Sequence, residues 1–366
     1  MTLQHFGIDQ ISKQIEHRVL SFRGYYGGST ERESISKVSL RKWEELKETH
    51  LRIRGAIDDD DYSGARYEMR KYGRLLWTVF AQPIPRKASY AFNDLFPKND
   101  YVLFHLDRYT RHLAWELLRL DKKWLYSRIA IGRIVRVNAD SDITSLSPSQ
   151  TIRRKPTALV VGIDYRNSGQ CLDYPVEEAE SVSEKLGAMG FKVTLLINSK
   201  ATKTSILRSI SNHDVFHFSG HGSYGENPHG YDGEILAYGG RSISGMEIQN
   251  QIAPRHSLRP FTPTMVYINA CESGKAKKKA SPDLLSGGLG DAFLRAGVSC
   301  FIGTQWPIDD SLSFSFSKRF YAKLKLENPM GRCLMEAKAS MSNDDRSRIT
   351  SSAYVLYGNP TYMLRV

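Results

Sequence analysis

Apolar residues in the second half of the chain follow strand-like and helix-like patterns in alternation. Residues 157–164 form an apolar run rich in branched side chains, which is typical of a strand buried on both faces of a parallel sheet. Residues 175–189 have apolar positions at spacings of three and four before Gly190, which predicts a helix with a stop signal. The same patterns continue along the chain and predict strands over 191–197 and 214–219, with a short helix over 203–210.

This alternation predicts a doubly wound α/β fold, in which helices flank a mainly parallel sheet and crossovers are right-handed. We assign residues 151–366 to this core and expect residues 100–150 to add strands beside it. Residues 144–156, rich in Ser, Thr, Pro and Arg, are predicted to form a connecting loop. Residues 1–99 form an accessory, partly helical region of unknown role, with helices predicted over 40–57 and 65–80.

Composition and charge narrow the class of protein. With 366 residues and 41% hydrophobic content, the chain can bury one large core plus an accessory unit. A net charge of +12 is compatible with nucleic-acid binding, but residues 1–150 and 151–366 each carry +6. An excess spread so evenly is typical of a solvated surface and disfavours a nucleic-acid partner. No signal segment or membrane-spanning run is visible, so we expect a cytoplasmic protein without membrane association.

The four cysteines lie far apart, without the spacing of a disulfide framework or a zinc site. We therefore expect no metal and no cofactor. Cys171, Cys300 and Cys333 are predicted to be small buried residues without a reactive role. Cys271 differs from them because a predicted strand over 265–269 precedes it and a polar Glu-Ser-Gly segment follows.

Two predicted strands end in reactive residues. Strand 214–219 is followed by a turn containing Gly220-His221-Gly222, and strand 265–269 is followed by Ala270-Cys271. Because the carboxyl ends of parallel strands meet at one edge of a sheet, we expect His221 and Cys271 to lie together there. A thiolate attacks a peptide carbonyl, and an imidazole can accept the thiol proton and then protonate the leaving amine.

His217 lies on the predicted strand over 214–219, two residues before Ser219. We expect it to be a structural, hydrogen-bonded histidine. A spacing of four places both histidines on one face only in a helix, and this segment has a strand pattern. Metal binding by the pair is therefore disfavoured.

These residues resemble the caspase-like clan of cysteine peptidases, which includes caspases, metacaspases, legumains, separases and bacterial CHAT-domain proteases. The similarity is strongest to the CHAT group and spans about residues 100–366. Five segments carry it, namely LAWELL at 113–118, VFHFSGHG at 215–222, INACESG at 268–274, GLGDAFLRAGVSCFIGTQWPIDD at 288–310 and AYVLYGNP at 353–360.

The resemblance implies a cysteine endopeptidase in which Cys271 is the nucleophile and His221 the general base. It also implies that the backbone amides of Gly222 and Cys271 stabilise the oxyanion. The implied setting is regulated, limited proteolysis of intracellular protein targets in a bacterial defence or cell-death pathway. Expected partners are gasdermin-like or other effector substrates and an upstream activating protease or sensor. Two alternatives stay open: a catalytically silent caspase-like scaffold and a basic nucleic-acid-binding module.

The segment TQWPIDD at 304–310 bears on substrate specificity. Separases have a similar Trp-x-x-x-Asp segment whose acidic residue binds arginine, and Asp310 occupies the matching place, with Asp309 beside it. A partly desolvated carboxylate favours a guanidinium, so we predict a preference for Arg or Lys before the scissile bond. Asn269 is included as a further candidate substrate contact. The alternative is that Asp309 or Asp310 caps a helix predicted over 312–326.

A lysine-rich segment follows the candidate nucleophile. We predict that a cut or rearrangement in the loop over 275–286, which has little apolar content, controls activity. The alternative is an ordinary solvated connector. The candidate processing residues are Lys275, Lys277, Lys278 and Lys279.

Overall fold

The structure is a computed structural model, and it describes most of the chain. The described residues are 3–13, 17–26, 30–81, 101–106, 110–111, 113–120, 123–135, 149–151, 155–166, 169, 171–227, 230–252, 263–271, 284–325 and 327–365.

Strands dominate the centre of the molecule, and thirteen of them belong to one sheet. Along the chain the strands are β1 Leu3–Lys13, β2 His17–Tyr26, β3 Thr30–Ser39, β4 Tyr101–Leu106, β5 Arg119–Leu120, β6 Lys123–Trp124, β7 Ala130–Val135, β8 Ser149–Thr151, β9 Thr157–Gly162, β10 Lys192–Ile197, β11 Val215–Asn227, β12 Gly230–Ala237, β13 Arg241–Ser244, β14 Met265–Cys271, β15 Cys300–Thr304, β16 Tyr354–Gly358 and β17 Met363–Arg365.

Helices cover both faces of this sheet. In chain order the α-helices of the described residues are α1 Leu40–Asp58, α2 Tyr62–Ala81, α3 Pro175–Ala188, α4 Lys203–Ile210, α5 Gly245–Ile252, α6 Leu284–Arg295, α7 Asp310–Lys323, α8 Met330–Ser340 and α9 Asp345–Ala353.

Five parallel strands in the order β10-β9-β11-β14-β15 form the half of the sheet that carries the predicted catalytic residues, and antiparallel β16 flanks them. Apolar residues of α4, α5 and α6 share one core cluster with one face of these strands. Those of α3, α7 and α8 share another cluster with the opposite face. The predicted doubly wound, mainly parallel α/β fold is therefore confirmed.

Burial on both faces explains why β9 has an apolar run without alternation. Every residue from Ala158 to Gly162 is buried, because helices cover the strand from both sides. On β14, Val266 and Ile268 contribute to one core, whereas Met265 and Tyr267 contribute to the other.

The sheet continues into the first half of the chain. Strand β16 pairs in parallel with β7, β7 with β4 and β4 with β1, and antiparallel β2 and β3 complete the edge. Helices α1 and α2 pack over a core shared with β4 and the 113–131 segment. The N-terminal region therefore contributes three strands as well as two helices, and the proposed domain limits stay predictions.

Several predicted elements differ from those observed. Strand β11 does not end at Ser219 but runs to Asn227, because Gly222–Asn227 pair with β12 in an antiparallel hairpin. His221 is therefore a strand residue, where the sequence predicted a turn. Strand β8 lies within the predicted loop 144–156 and pairs with β17, and α6 begins at Leu284, inside the predicted loop 275–286.

Among the residues described, no helix is both long and apolar enough to cross a bilayer.

Candidate active site

The two predicted catalytic residues are neighbours in the sheet. Strands β11 and β14 pair in parallel from Val215 opposite Met265 to His221 opposite Cys271. Adjacent strands are about 4.8 Å apart, so the backbones of His221 and Cys271 lie side by side. Cys271 is also the last residue of β14, at the carboxyl edge where open α/β sheets place their chemistry.

Tyr165 fixes the position of His221. Its hydroxyl oxygen accepts a hydrogen bond from the His221 backbone N–H at 3.1 Å and donates one to the Leu236 carbonyl on β12. The two rings also pack together, with centroids 4.4 Å apart. Burial raises the pKa of Tyr165, so its hydroxyl keeps the proton that it donates. Tyr165 therefore holds the backbone and one ring face of His221.

The loop after β9 aims Tyr165 at His221. Tyr165 adopts a left-handed backbone with φ of 52°, a conformation that costs about 1–2 kcal/mol for a residue with a side chain. The preceding Asp164 anchors this loop, because its backbone N–H donates to Asn198 Oδ1 at 3.0 Å and its carboxylate pairs with Arg166 at 2.9 Å. Gly220 completes the fit, since a Cβ there would lie 2.8 Å from the Tyr165 hydroxyl oxygen.

A buried carboxylate lies below the site. Glu178 of α3, only 1% exposed, accepts hydrogen bonds from Ser219 Oγ at 3.1 Å and from Asn269 Nδ2 at 2.9 and 2.7 Å. Asn269 Oδ1 in turn accepts a hydrogen bond from the Tyr354 hydroxyl at 3.0 Å. The side chain of Asn269, a predicted substrate contact, is thus engaged inside the protein.

His217 belongs to the same buried network. Its Nδ1 lies 3.0 Å from the Tyr321 hydroxyl oxygen, and its Nε2 lies 3.3 Å from Glu178 Oε1, as a close polar contact without hydrogen-bond geometry. The side chain is fully buried. The prediction of a structural, hydrogen-bonded histidine is confirmed.

The two predicted specificity aspartates have different environments. Asp309 is the N-cap of α7, where its Oδ1 accepts the Leu312 backbone N–H at 2.8 Å, and it also forms an ion pair with Arg346. The helix-capping alternative is therefore confirmed for Asp309.

Asp310 is the half-buried first residue of α7, and it reaches the loop that follows β9. Its Oδ2 accepts the backbone N–H groups of Asp173 at 2.9 Å and Tyr174 at 3.2 Å. Burial raises the pKa of Asp310, and these two hydrogen bonds oppose that rise. The carboxylate therefore connects two segments that follow parallel strands.

The remaining predicted residues are placed as follows. Gly222 pairs with Ile235 at the start of the β11–β12 hairpin. The candidate processing residues, Lys275, Lys277, Lys278 and Lys279, lie outside the described residues.

The other cysteines differ in burial. Cys300 and Cys333 are buried as predicted, and burial raises the pKa of both thiols, which makes them poor nucleophiles. The prediction of a buried Cys171 is wrong, because this residue is exposed in the surface loop after β9.

Solved structures share this architecture at low sequence identity. The Arg-specific cysteine proteinase gingipain R (RgpB) of Porphyromonas gingivalis has 13% identity and a TM-score of 0.53, over 81% of this chain and 68% of that one. Separase from Saccharomyces cerevisiae, in complex with securin, has 10% identity and a TM-score of 0.60, over 100% of this chain. The match spans only 30% of the separase chain. The fold is that of the caspase-like cysteine proteases.

The family follows from the sequence itself. The model of the CHAT domain family matches residues 70–359, which is most of the chain. The protein therefore belongs to the CHAT domain family. No curated protein matches the sequence significantly.

Proposed function

We propose that this protein is a cysteine endopeptidase in which Cys271 is the nucleophile and His221 the general base. The observation that supports this role is the pairing of the two residues in register on adjacent parallel strands. His221 accepts the thiol proton, and the thiolate attacks the peptide carbonyl carbon. The backbone amides of Gly222 and Cys271 donate to the oxyanion. When the tetrahedral intermediate collapses, the C–N bond breaks and His221 protonates the leaving amine. Water then hydrolyses the thioester that remains on Cys271.

Substitution of each residue tests this role. Cys271→Ala and His221→Ala should each abolish peptide cleavage while the circular dichroism spectrum stays that of the wild type, because both act in one catalytic unit. Cys171→Ala is the matched control, since it removes an exposed thiol elsewhere and should leave cleavage unchanged. Cleavage near the wild-type rate in either site variant rules out the proposed pair.

The proposal extends to substrate specificity, with Arg or Lys preferred before the scissile bond and Asp310 as the acidic determinant. Asp310 supports this better than Asp309, whose carboxylate caps α7 and pairs with Arg346. The structural neighbour gingipain R is an Arg-specific proteinase, which is consistent with a basic preference in this fold. A half-buried carboxylate attracts a guanidinium through charge-assisted hydrogen bonds.

A peptide library resolves the specificity question. Wild type should favour Arg and Lys, and Asp310→Asn should lose that selectivity. Asp309→Asn, whose amide oxygen can still cap α7, should keep the selectivity. Preference for Leu, Met or Asp, or unchanged selectivity in Asp310→Asn, excludes Asp310 as the determinant.

Control of activity by a cut or rearrangement within residues 275–286 is the third part of the proposal. These residues follow the proposed nucleophile in the sequence, so a cut or rearrangement among them would change the chain next to Cys271. Replacing Lys275, Lys277, Lys278 and Lys279 together by glutamine should block processing and lower activity. If both persist unchanged, the segment is a connector only.

The biological part of the proposal is limited proteolysis of cytoplasmic protein targets in bacterial defence, with gasdermin-like or other effectors as substrates and an upstream protease or sensor as activator. Membership of the CHAT family supports it. Mass spectrometry of protein termini in cells that express wild type or Cys271→Ala should reveal targets cut only by the wild type. Identical termini in both cells contradict it.

A further inference from the structure

The sheet register places a second cross-strand pair close to the proposed catalytic pair. Ser219 lies opposite Asn269, and His221 lies opposite Cys271, two residues further along the same two strands. Because strand side chains alternate with a period of two, the Ser219–Asn269 pair occupies the equivalent position one repeat below the catalytic pair. A contact that joins Ser219 to Asn269 therefore fixes the spacing and register of the strands where they deliver His221 and Cys271.

Glu178 makes that contact. Its carboxylate accepts Ser219 Oγ at 3.1 Å from β11 and Asn269 Nδ2 at 2.9 and 2.7 Å from β14. All three side chains are buried, so water cannot substitute for a lost partner without a rearrangement. These hydrogen bonds reach one side chain from both strands, so the carboxyl group of Glu178 joins β11 to β14 directly.

The position of Glu178 is itself fixed by close packing of α3 on β9. A Cβ at Gly162 would lie 2.5 Å from the Pro175 carbonyl oxygen and 2.6 Å from Ala179 Cβ. The first turn of α3 therefore contacts the backbone of β9 directly. The backbone that carries Glu178 is therefore packed against β9, the strand that pairs with β11.

Tyr354 and His217 hold the network from its other sides. The Tyr354 hydroxyl donates to Asn269 Oδ1 at 3.0 Å, which orients the amide so that its Nδ2 faces Glu178. His217 Nε2 lies 3.3 Å from Glu178 Oε1, so an imidazole also faces the carboxylate. With these contacts, the orientation of Asn269 is determined by both of its polar atoms.

From this geometry we propose that Glu178 is a positioning residue, which acts through Ser219 and Asn269 to align His221 with Cys271. The inference rests on the proposed catalytic roles of the latter two. We assign Glu178 a positioning role because its carboxyl group contacts Ser219, Asn269 and His217 and is not in contact with the proposed catalytic pair in the described geometry. A misplacement of about 1 Å between reacting groups can lower the rate about 100-fold. Loss of the hydrogen bonds from Glu178 to Ser219 and Asn269 should therefore slow the chemical step.

Glu178→Gln is the direct test, because it keeps the shape of the side chain but turns one acceptor into a donor that faces Asn269 Nδ2. We expect kcat to fall by about 10- to 100-fold with little change in KM. Glu180→Gln is the matched control on the exposed side of the same helix and should behave as wild type. The double variant Glu178→Gln with Asn269→Asp exchanges amide and carboxylate, restores the hydrogen bonds and should recover most of kcat.

A substrate-independent measurement separates this inference from the proposed function. The rate at which iodoacetamide alkylates Cys271, followed by mass spectrometry in a Cys171→Ala background, reports how well His221 activates the thiol. It should fall in Glu178→Gln and recover in the double variant, even if no peptide substrate is cleaved by the wild type. If neither the wild type nor any variant cleaves a peptide but this alkylation pattern is observed, the proposed function is contradicted and the positioning role is supported.

Ser219→Ala is a milder variant for the case in which Glu178→Gln does not fold, since it removes a single hydrogen bond at 3.1 Å. It should lower the alkylation rate of Cys271 by about 3- to 10-fold, the equivalent of about 1 kcal/mol. The inference is overturned if Glu178→Gln has the kcat and the alkylation rate of the wild type. If only Ser219→Ala folds, the same result in that variant overturns it. A lower melting temperature with both rates unchanged overturns it too, because it indicates a purely structural role.

Discussion

The buried ammonium group of Lys338 should make the stability of the protein depend on pH. This residue of α8 is 3% exposed, and its Nζ donates to the Tyr354 carbonyl oxygen at 2.7 Å. Burial lowers the pKa of its ammonium group from 10.5 to about 8, while Glu116 raises the pKa and Arg133 lowers it further. Its charged form is therefore less stable in the folded protein than in the unfolded chain.

The sign and size of the effect follow from linkage. Between pH 8 and 10.5 the unfolded chain holds the proton that the native Lys338 has released, so the free energy of unfolding rises with pH in this window. The pKa difference of roughly 2.5, at about 1.4 kcal/mol for each pKa unit, gives a total of about 3.5 kcal/mol. The destabilisation is complete below pH 8 and disappears above pH 10.5.

Urea unfolding of wild type and Lys338→Met at pH 7 and pH 10 measures this change in the free energy of unfolding. The wild type should gain about 2–3 kcal/mol relative to Lys338→Met between the two pH values. Lys185→Met, which replaces an exposed lysine on α3, should show no such difference. A relative change below about 0.5 kcal/mol, or one of opposite sign, would refute the assignment of a destabilised buried ammonium.

Three further substitutions have defined outcomes. Glu116→Ala leaves the buried Arg133 guanidinium without its carboxylate and should cost about 3–5 kcal/mol in urea unfolding; a loss below 1 kcal/mol contradicts a paired buried charge. Tyr165→Phe keeps the ring beside His221 but removes its hydrogen bonds, so stability should fall by about 1–3 kcal/mol and cleavage should slow, whereas a wild-type rate argues against positioning by the hydroxyl. Cys300→Ala should lower the melting temperature and leave kcat unchanged, and a selective loss of kcat contradicts its core role.

The elements that the sequence predicted well are those in which one physical cause dominates. The apolar run at 157–164 corresponds to β9, Thr157–Gly162, because burial on both faces removes the need for polar positions. The spacing over 175–189 corresponds to α3, Pro175–Ala188. The pairing of His221 with Cys271 followed from parallel topology, since neighbouring parallel strands run toward the same edge of the sheet.

Features that depend on distant partners could not be predicted in this way. Strand β11 continues past Ser219 only because β12 returns to pair with it, and hairpin pairing leaves no periodic signal in a short glycine-rich segment. Glu178 gave one usable signal, namely a charged residue among the buried positions of an amphipathic helix. Its partners lie 41 and 91 residues away, so only the fold reveals that it joins two strands.

Tyr165 gave no comparable signal, because its role depends on a left-handed backbone in a loop. The two aspartates show a similar limit. Helix periodicity places the start of α7 only within a residue or two, yet that difference decides which carboxylate caps it.

The most direct test of the central claim is the site of covalent labelling by a peptide electrophile with Arg before the reactive group. Mass spectrometry of the labelled wild-type protein should find the adduct on Cys271, and labelling should drop sharply in His221→Ala and vanish in Cys271→Ala. Glu180→Gln should label as the wild type does. An adduct on exposed Cys171 in place of Cys271, or undiminished labelling of Cys271 in His221→Ala, would contradict a Cys271–His221 catalytic pair.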